Sequence, residues 1–434
     1  MTSGIVTFYI LTVTQVLSLI GSRMTSIAFG IWLFQQTGDS APVLLASFFV
    51  MLPQALAGSF GGVIADRWPR RLVLMLTDTG AAVGTALLLL SFMLGTFEVW
   101  QLYVVAFLQG ALGMMQRPAM DASITMMVPS THRDRANTLR LMAGPVAGII
   151  APILAALIFA TFGLVGVISI DLASFFVAVI TLWFVRIPEP KKTNPKTGRS
   201  HFLDDSKEAF AFLWNARVLF FMMFYAAALN FFLAGSINLA TPYILTLTGS
   251  EETLGILLGI MNLGMVIGGV IMFVRGGTNP RIHGIMLGLM FRGLALAVYG
   301  LVRTPIALAF AVFFVLFSNA LVDGSFMSML QSKVPPHLQG RVFALLFQMM
   351  NIATPLSLLM TGYVVDNLLE PAVNTPGWSA VAPLVGSQPG SGMGLFIMVN
   401  GVLIFVMTLA VYLIPAVRHN ERKMPDYAPS GAII

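Results

Sequence analysis

No cysteine occurs in the 434-residue chain, which excludes thiol catalysis, disulfides and cysteine-ligated metals and leaves the redox compartment open. Charge is scarce as well: Asp, Glu, Lys and Arg make up 10% of the residues, against about a quarter in soluble domains. The five histidines, at 132, 201, 283, 337 and 419, show no metal-ligand spacing. Gly-x-x-x-x-Gly-Lys-Ser/Thr loops, Gly-x-Ser-x-Gly elbows and His-Glu-x-x-His pairs are all missing, which weighs against a membrane enzyme or part of an ATP-driven pump. No metal and no cofactor is expected.

What remains is apolar. A chain that is 57% hydrophobic cannot wrap that surface inside a water-soluble globule, so lipid must be its main solvent. About twelve runs reach the roughly 18 residues needed to cross a bilayer. They lie near 5–35, 41–65, 72–95, 99–127, 138–162, 164–186, 218–247, 252–275, 283–303, 305–331, 338–366 and 393–416, and are numbered spans 1 to 12. The first run carries Arg23 and has no small-residue cleavage site, so it is expected to stay as span 1. All but four of the 24 Lys and Arg fall in tails and loops on one side of a twelve-crossing chain. By the positive-inside rule both termini are cytoplasmic. That distribution also argues against nucleic acid as a partner.

The chain is duplicated. "GSFGGVI" at Gly58 recurs as "GMVIGGVI" at Gly264, and "VPSTHRDRANTL" at Val128 recurs as "VPPHLQGRVFAL" at Val334, both starting 206 residues on, the first with a one-residue slip by its second glycine pair. One shared offset at two places predicts two copies of a six-helix unit. The expected organisation is an all-α membrane protein with an N-terminal bundle over 1–187, a cytoplasmic linker over 188–217, a C-terminal bundle over 218–416 and a tail over 417–434. The linker opens Pro/Lys-rich, and 202–217 has the pattern of an amphipathic surface helix. The Pro/Gly-rich loop near 367–392 is expected outside and carries no recognisable chemistry.

Twelve spans, a six-plus-six repeat, a central cytoplasmic loop and a charged knot after span 2 together resemble the major facilitator superfamily. Its signature, Gly-x-Leu-Ala-Asp-Arg/Lys-x-Gly-Arg/Lys-Arg/Lys, is similar to Gly62-Val63-Ile64-Ala65-Asp66-Arg67-Trp68-Pro69-Arg70-Arg71, departing at Ile64 and Pro69. The words "SLIGSRMTSIAF", "RPAMDASITMMVP", "ISIDLASFFVAVITLWFVRIP" and "LQGRVFAL" resemble the branch of macrolide and enterobactin exporters. Gly144-Pro145-x-x-Gly148 echoes a drug-antiporter pattern with one glycine missing. The resemblance implies twelve transmembrane helices in two bundles related by pseudo-two-fold symmetry. It implies a monomeric secondary transporter in a bacterial cell membrane, exporting drugs, macrolides or siderophore-like metabolites in exchange for protons. An uptake permease or uniporter of the same fold is the alternative. It also implies a cytoplasmic gate in which Asp66 accepts from free N–H groups near Gly340 to Phe343, with Gly62, Arg67, Arg70, Arg71 and Arg341 around it. A purely topological role for Arg70 and Arg71 stays open.

A buried ion costs roughly 2.5 to 3.5 kcal/mol on insertion scales and should be paired or line a wet path. Arg117 and Asp121, four apart on span 4, share a face. The repeat offset maps Arg117 onto Asp323 of span 10. In the family, spans 1, 4, 7 and 10 line the central cavity, so Asp121 and Asp323 are the proton-coupling candidates, with Arg117 modulating them. A static Arg117–Asp121 pair that settles packing is the competing reading. Arg23 on span 1 holds an anionic group of the substrate, acts as counter-ion to Asp121 or Asp323, or makes a structural pair. Asp171 is assigned to packing, Asp78 to anchoring Arg67 or Arg71, and Arg292 to snorkelling by default.

The 33 Phe and 27 Met suit a pocket that repacks around bulky apolar guests. Phe224 and Phe314 are the cavity candidates among the aromatics. Gln15, Asn230, Asn238 and Asn319 are the polar groups expected to orient a ligand.

Overall fold

The protein is seen in a computed structural model that describes residues 2–185 and 210–418. The chain is helical because lipid offers no hydrogen-bond partners, leaving each apolar run to satisfy its own backbone. Among the described residues, ten helices are long and apolar enough to cross a bilayer. One of them, Arg135–Phe184, has 50 residues, enough for two crossings. Its backbone breaks at Gly163 (φ 64°, ψ −167°), a left-handed position that favours glycine, and the break separates spans 5 and 6. With the helix Val99–Met127 as span 4, twelve spans result.

Spans 1 to 3 are Thr2–Thr37, Ala41–Arg67 and Arg70–Met93. Span 7 is interrupted: Arg217–Asn238 gives way at Leu239 to a short helix, Ala240–Thr248, with Pro242 in its first turn. Spans 8, 9 and 10 are Glu251–Arg275, Arg281–Leu301 and Pro305–Lys333. Span 11 starts at Pro336, earlier than expected, because the preset φ of proline suits a first helical position. It runs to Val364 and then widens into a π-helical turn, Val365–Leu369. Span 12 is Ser391–Leu413.

By its contacts the chain forms two compact units, one of Met1–Asn194, Asn238–Gly259 and Thr354–Leu368, the other of Pro195–Ile237, Ile260–Ala353 and Leu369–Ile434. In the first, Phe8 and Leu11 pack with Val73, Leu74 and Leu182, and Met24, Ala28 and Leu33 pack with Val105, Ala155 and Ile168. In the second, Leu213 and Leu219 join Leu330, Val334, Val342 and Leu346. The linker from 188 and the first part of the expected surface helix, 202–209, lie outside the described residues; from Phe210 onward Leu213 is fully buried while Phe210 and Trp214 are exposed. Spans 8 and 10 approach so closely that a Cβ at Gly264 or Gly268 has no room under the carbonyls of Phe313 and Phe317. Outward-facing side chains such as Phe273 (89% exposed) and Phe184 (83%) are apolar, which suits a surface bathed in lipid.

The loop after span 11 is built by specific contacts. Glu370 accepts from the backbone N–H groups of Met393 (2.8 Å) and Gly390 (3.3 Å), capping span 12. Trp378 Nε1 donates to the Gly386 carbonyl (2.8 Å). Arg303 donates to the Val385 carbonyl and to Ser391 Oγ.

Candidate functional site

In the second unit, spans 7, 9 and 10, with Met350 of span 11 and Ile404 of span 12, line a cavity of about 150 Å³. Its polar lining is Tyr225, Asn230, Arg292, Asn319 and Asp323, set among apolar residues such as Leu229, Leu289 and Phe326. Asn319 and Asp323, four apart on span 10, share the face that looks into it. Arg292 is 6% exposed. Its Nε donates to Ser318 Oγ at 3.3 Å, and its Nη2 lies 3.9 Å from Asp323 Oδ1. The Asp323 side chain is 65% exposed. A carboxylate that open, in the middle of a membrane-crossing helix, faces the cavity rather than a sealed core. Arg292 therefore does not snorkel: span 9 turns it inward, against Ser318 and Asp323. The other polar groups are held from behind. Tyr225 donates its hydroxyl to Thr408 Oγ1 (2.7 Å), and Asn230 Nδ2 donates to the Met350 carbonyl (2.8 Å).

Among the described residues of the first unit, the membrane-embedded carboxylates Asp78, Asp121 and Asp171 each have partners of their own. Asp121 of span 4 forms an ion pair with Arg140 of span 5, whereas Arg117, its neighbour one turn away, is exposed. Asp78 of span 3, almost fully buried, accepts from Gln15 Nε2 of span 1 and Gln116 Nε2 of span 4, both at 2.6 Å. Two short charge-assisted bonds fill both carboxylate oxygens. The expected anchoring of Arg71 by Asp78 gives way to a different arrangement. Arg71 donates to the carbonyls of Leu182 (2.9 Å) and Trp183 (2.6 Å), capping the C-terminus of span 6, where a cation is favoured. Asp171 of span 6 is buried against span 1: Ser22 Oγ approaches it at 3.4 Å, and Gly21 leaves the space that Asp171 and Ser174 occupy.

The cavity candidates Asn230 and Asn319 and the proton-coupling candidate Asp323 thus line this cavity, and the other cavity candidates are not among its lining. Arg23 donates through Nη1 to the Gly144 carbonyl of span 5 (3.2 Å). Gln15 is committed to Asp78. Asn238 ends the first helix of span 7. Phe224 stacks edge-on against Phe220 (5.1 Å between centroids), and Phe314 against Phe291 (5.6 Å), outside the cavity lining.

Gly62, Asp66 and Arg67 fall in 59–67, whose side chains lie outside the described residues. At the opposite end of the expected gate, span 11 begins at Pro336, so its unpaired N–H groups precede Gly340 and the N–H groups of Gly340 to Phe343 lie within the helix. Gln339 Nε2 there donates to the carbonyls of Gln331 (2.9 Å) and Val334 (3.0 Å), fastening the turn from span 10. Gly340 is exposed and Arg70 and Arg341 are half-buried.

A family profile described as Major Facilitator Superfamily matches residues 11–358. Macrolide efflux protein A of Streptococcus pyogenes is 26% identical over 366 residues, covering 83% of this chain and 90% of that protein. A protein of the same name from Enterococcus faecalis is 27% identical over 324 residues, covering 74% and 99%. The multidrug efflux pump Tap of Mycolicibacterium fortuitum is 21% identical over 352 residues, covering 80% and 86%. Among solved structures, a bacterial homologue of the human lysosomal transporter Spinster, inward-facing and unoccupied, superposes with a TM-score of 0.71 at 18% identity, covering 98% and 99%. The nucleoside transporter NupG superposes at 0.65 with 14% identity, covering 93% and 98%. The fold is accordingly the twelve-helix arrangement of two six-helix bundles.

Proposed function

Because the chain belongs to the major facilitator superfamily, we propose that it is a secondary active exporter that releases bulky amphipathic compounds in exchange for protons. The observation that carries this reading is the juxtaposition of Arg292 and Asp323 on the cavity wall, 3.9 Å apart, one buried and one open. A proton arriving at Asp323 removes its attraction for Arg292, and its departure restores it. A carboxylate whose partner is held only when it is ionised makes the two open states differ in proton affinity, which is what coupling requires. Asp121 is the second candidate, paired with Arg140 rather than with Arg117.

The substrate class is supported by the relatives' names and by the cavity's character: apolar walls, with Asn230 and Asn319 to orient a guest. The halves 1–187 and 218–416, joined by 188–217 and followed by the tail 417–434, are the moving bodies of this proposal. Both termini are cytoplasmic on the charge distribution, and the transporter works as a monomer.

The test uses energised inverted vesicles and a panel of macrolides and hydrophobic dyes, comparing the native protein with Asp121→Asn and Asp323→Asn. Uptake driven by ΔpH is expected in the native protein and lost in Asp323→Asn. Unchanged ΔpH-driven uptake in both variants removes the coupling assignment, and uptake indifferent to ΔpH in the native protein favours a uniporter.

A further inference from the structure

The end of span 2 farthest from the signature carries a contact that the transport reading leaves unused. Ser40 precedes the first helical residue, Ala41, and Pro42 follows with no N–H to offer. The Asp366 carboxylate, from the π-helical turn that ends span 11, occupies the helix N-terminus. Its Oδ1 accepts from the Ser40 N–H (3.1 Å) and Ser40 Oγ (2.6 Å), and its Oδ2 accepts from the Ala41 N–H (2.6 Å). Ser40 is 1% exposed. One charge thus takes three donors at the positive end of the helix dipole. π-Helical turns are rare in helices and concentrate at functional positions.

Three other contacts lie at the same ends of the spans, all within the first unit. Gln35 Nε2 of span 1 donates to Glu251 Oε1 of span 8 (2.6 Å). A Cβ placed at Gly362 of span 11 comes 3.0 Å from Ala41. A Cβ at Gly255 of span 8 comes 2.6 Å from the Pro152 carbonyl and from Ala156 of span 5. The glycine seams are apolar and shallow, with no direction of their own. The Asp366 contact is directional and charge-assisted.

We propose that Asp366 is a gating residue: its contact with Ser40 and Ala41 holds the non-cytoplasmic ends of spans 2 and 11 together, and it must break each time the transporter opens to that side. The proposal rests on the alternating-access reading given above. It predicts that weakening this one contact shifts the resting population toward the state open on that side, without touching the cavity groups. Losing hydrogen bonds to a charged group shifts such an equilibrium by about tenfold or more.

The chain has no cysteine, so one introduced thiol is the sole labelling site. Thr241→Cys places it under the seam, where Thr241 packs toward Gly30 of span 1. Intact cells carrying Thr241→Cys, alone or with Asp366→Ala or Ser40→Ala, are treated with a membrane-impermeant maleimide and labelling rates are normalised to protein level. Asp366→Ala is expected to raise the rate about tenfold and Ser40→Ala, which removes one of the three donors, about threefold. An unchanged rate in Asp366→Ala overturns the proposal. If Asp366→Ala does not accumulate, an unchanged rate in Ser40→Ala overturns it. A separate pair, Gln35→Cys with Glu251→Cys joined by a short bifunctional thiol reagent, tests the underlying reading. Transport that survives the cross-link removes alternating access at this seam. Transport blocked by the cross-link, with labelling indifferent to Asp366, removes the gating residue alone.

Discussion

Substituting the two members of the Arg292–Asp323 pair, singly and together, measures whether they act on each other. At 3.9 Å and an effective dielectric of about 20 the attraction is about 4 kcal/mol, and in bulk water it is about 1 kcal/mol. The 65% exposure of Asp323 pulls the value toward the lower figure, while the burial of Arg292 pulls it upward. A coupling of about 2 kcal/mol follows. Asp323→Asn leaves the Arg292 guanidinium buried without a carboxylate opposite it among the described residues, hydrogen-bonded to Ser318, so it is expected to destabilise by about 2 kcal/mol. Arg292→Met removes the charge and fills the space with an apolar chain, so it is expected to be neutral or stabilising by about 1 kcal/mol. The double variant is then expected to match Arg292→Met alone. The assay is thermal unfolding of the purified proteins in one detergent, with a drop of a few degrees for Asp323→Asn that disappears in the Arg292→Met background. Effects that add to within about 0.5 kcal/mol refute the interaction.

Asp78→Leu is expected to lower the unfolding midpoint strongly, because it removes the acceptor of two inward-facing amides, Gln15 and Gln116, and leaves them their mutual contact (3.3 Å). Asp78→Asn is expected to do so mildly, since a glutamine amide can turn its oxygen toward the new donor; the same melting series separates them. At the Asp121–Arg140 pair the side chains are 41% and 26% exposed, so Arg140→Gln is expected to cost under about 1 kcal/mol of stability. Its membrane level should be normal while ΔpH-driven dye transport falls; a normal transport rate assigns the pair to packing instead.

The spans were legible because lipid imposes a length and a composition on each, and the break between spans 5 and 6 falls at a left-handed Gly163, whereas composition alone places the start of span 11, at Pro336, too late. The 206-residue offset likewise exposed the duplication. Within one helix, four-residue spacing puts Asn319 and Asp323 on one face, and both line one cavity. Pairs across helices do not read that way. Four-residue spacing suggests Arg117 for Asp121, yet the partner is Arg140 of the next span, which by sequence belongs with the topology-setting charges. Arg292 resembles a stray lipid-facing charge until span 9 is seen to turn it toward span 10. Gln116, an amide in mid-span 4, was the available signal for a polar partner, and it is uncharged and easily passed over. Asp366 sits at the start of a Pro/Gly-rich loop, and the helix it caps lies some 326 residues earlier in the chain, so no local pattern announces it.

The most direct measurement of the coupling claim follows protons rather than substrate. Proteoliposomes are preloaded with whichever compound of the vesicle panel the protein takes up, together with a lumenal pH dye, with no pH gradient imposed, and diluted so that the compound runs down its own gradient. The account predicts lumenal acidification in the native protein as protons enter against the departing compound, and none in Asp323→Asn although the compound still exchanges. Acidification of equal size in Asp323→Asn contradicts it.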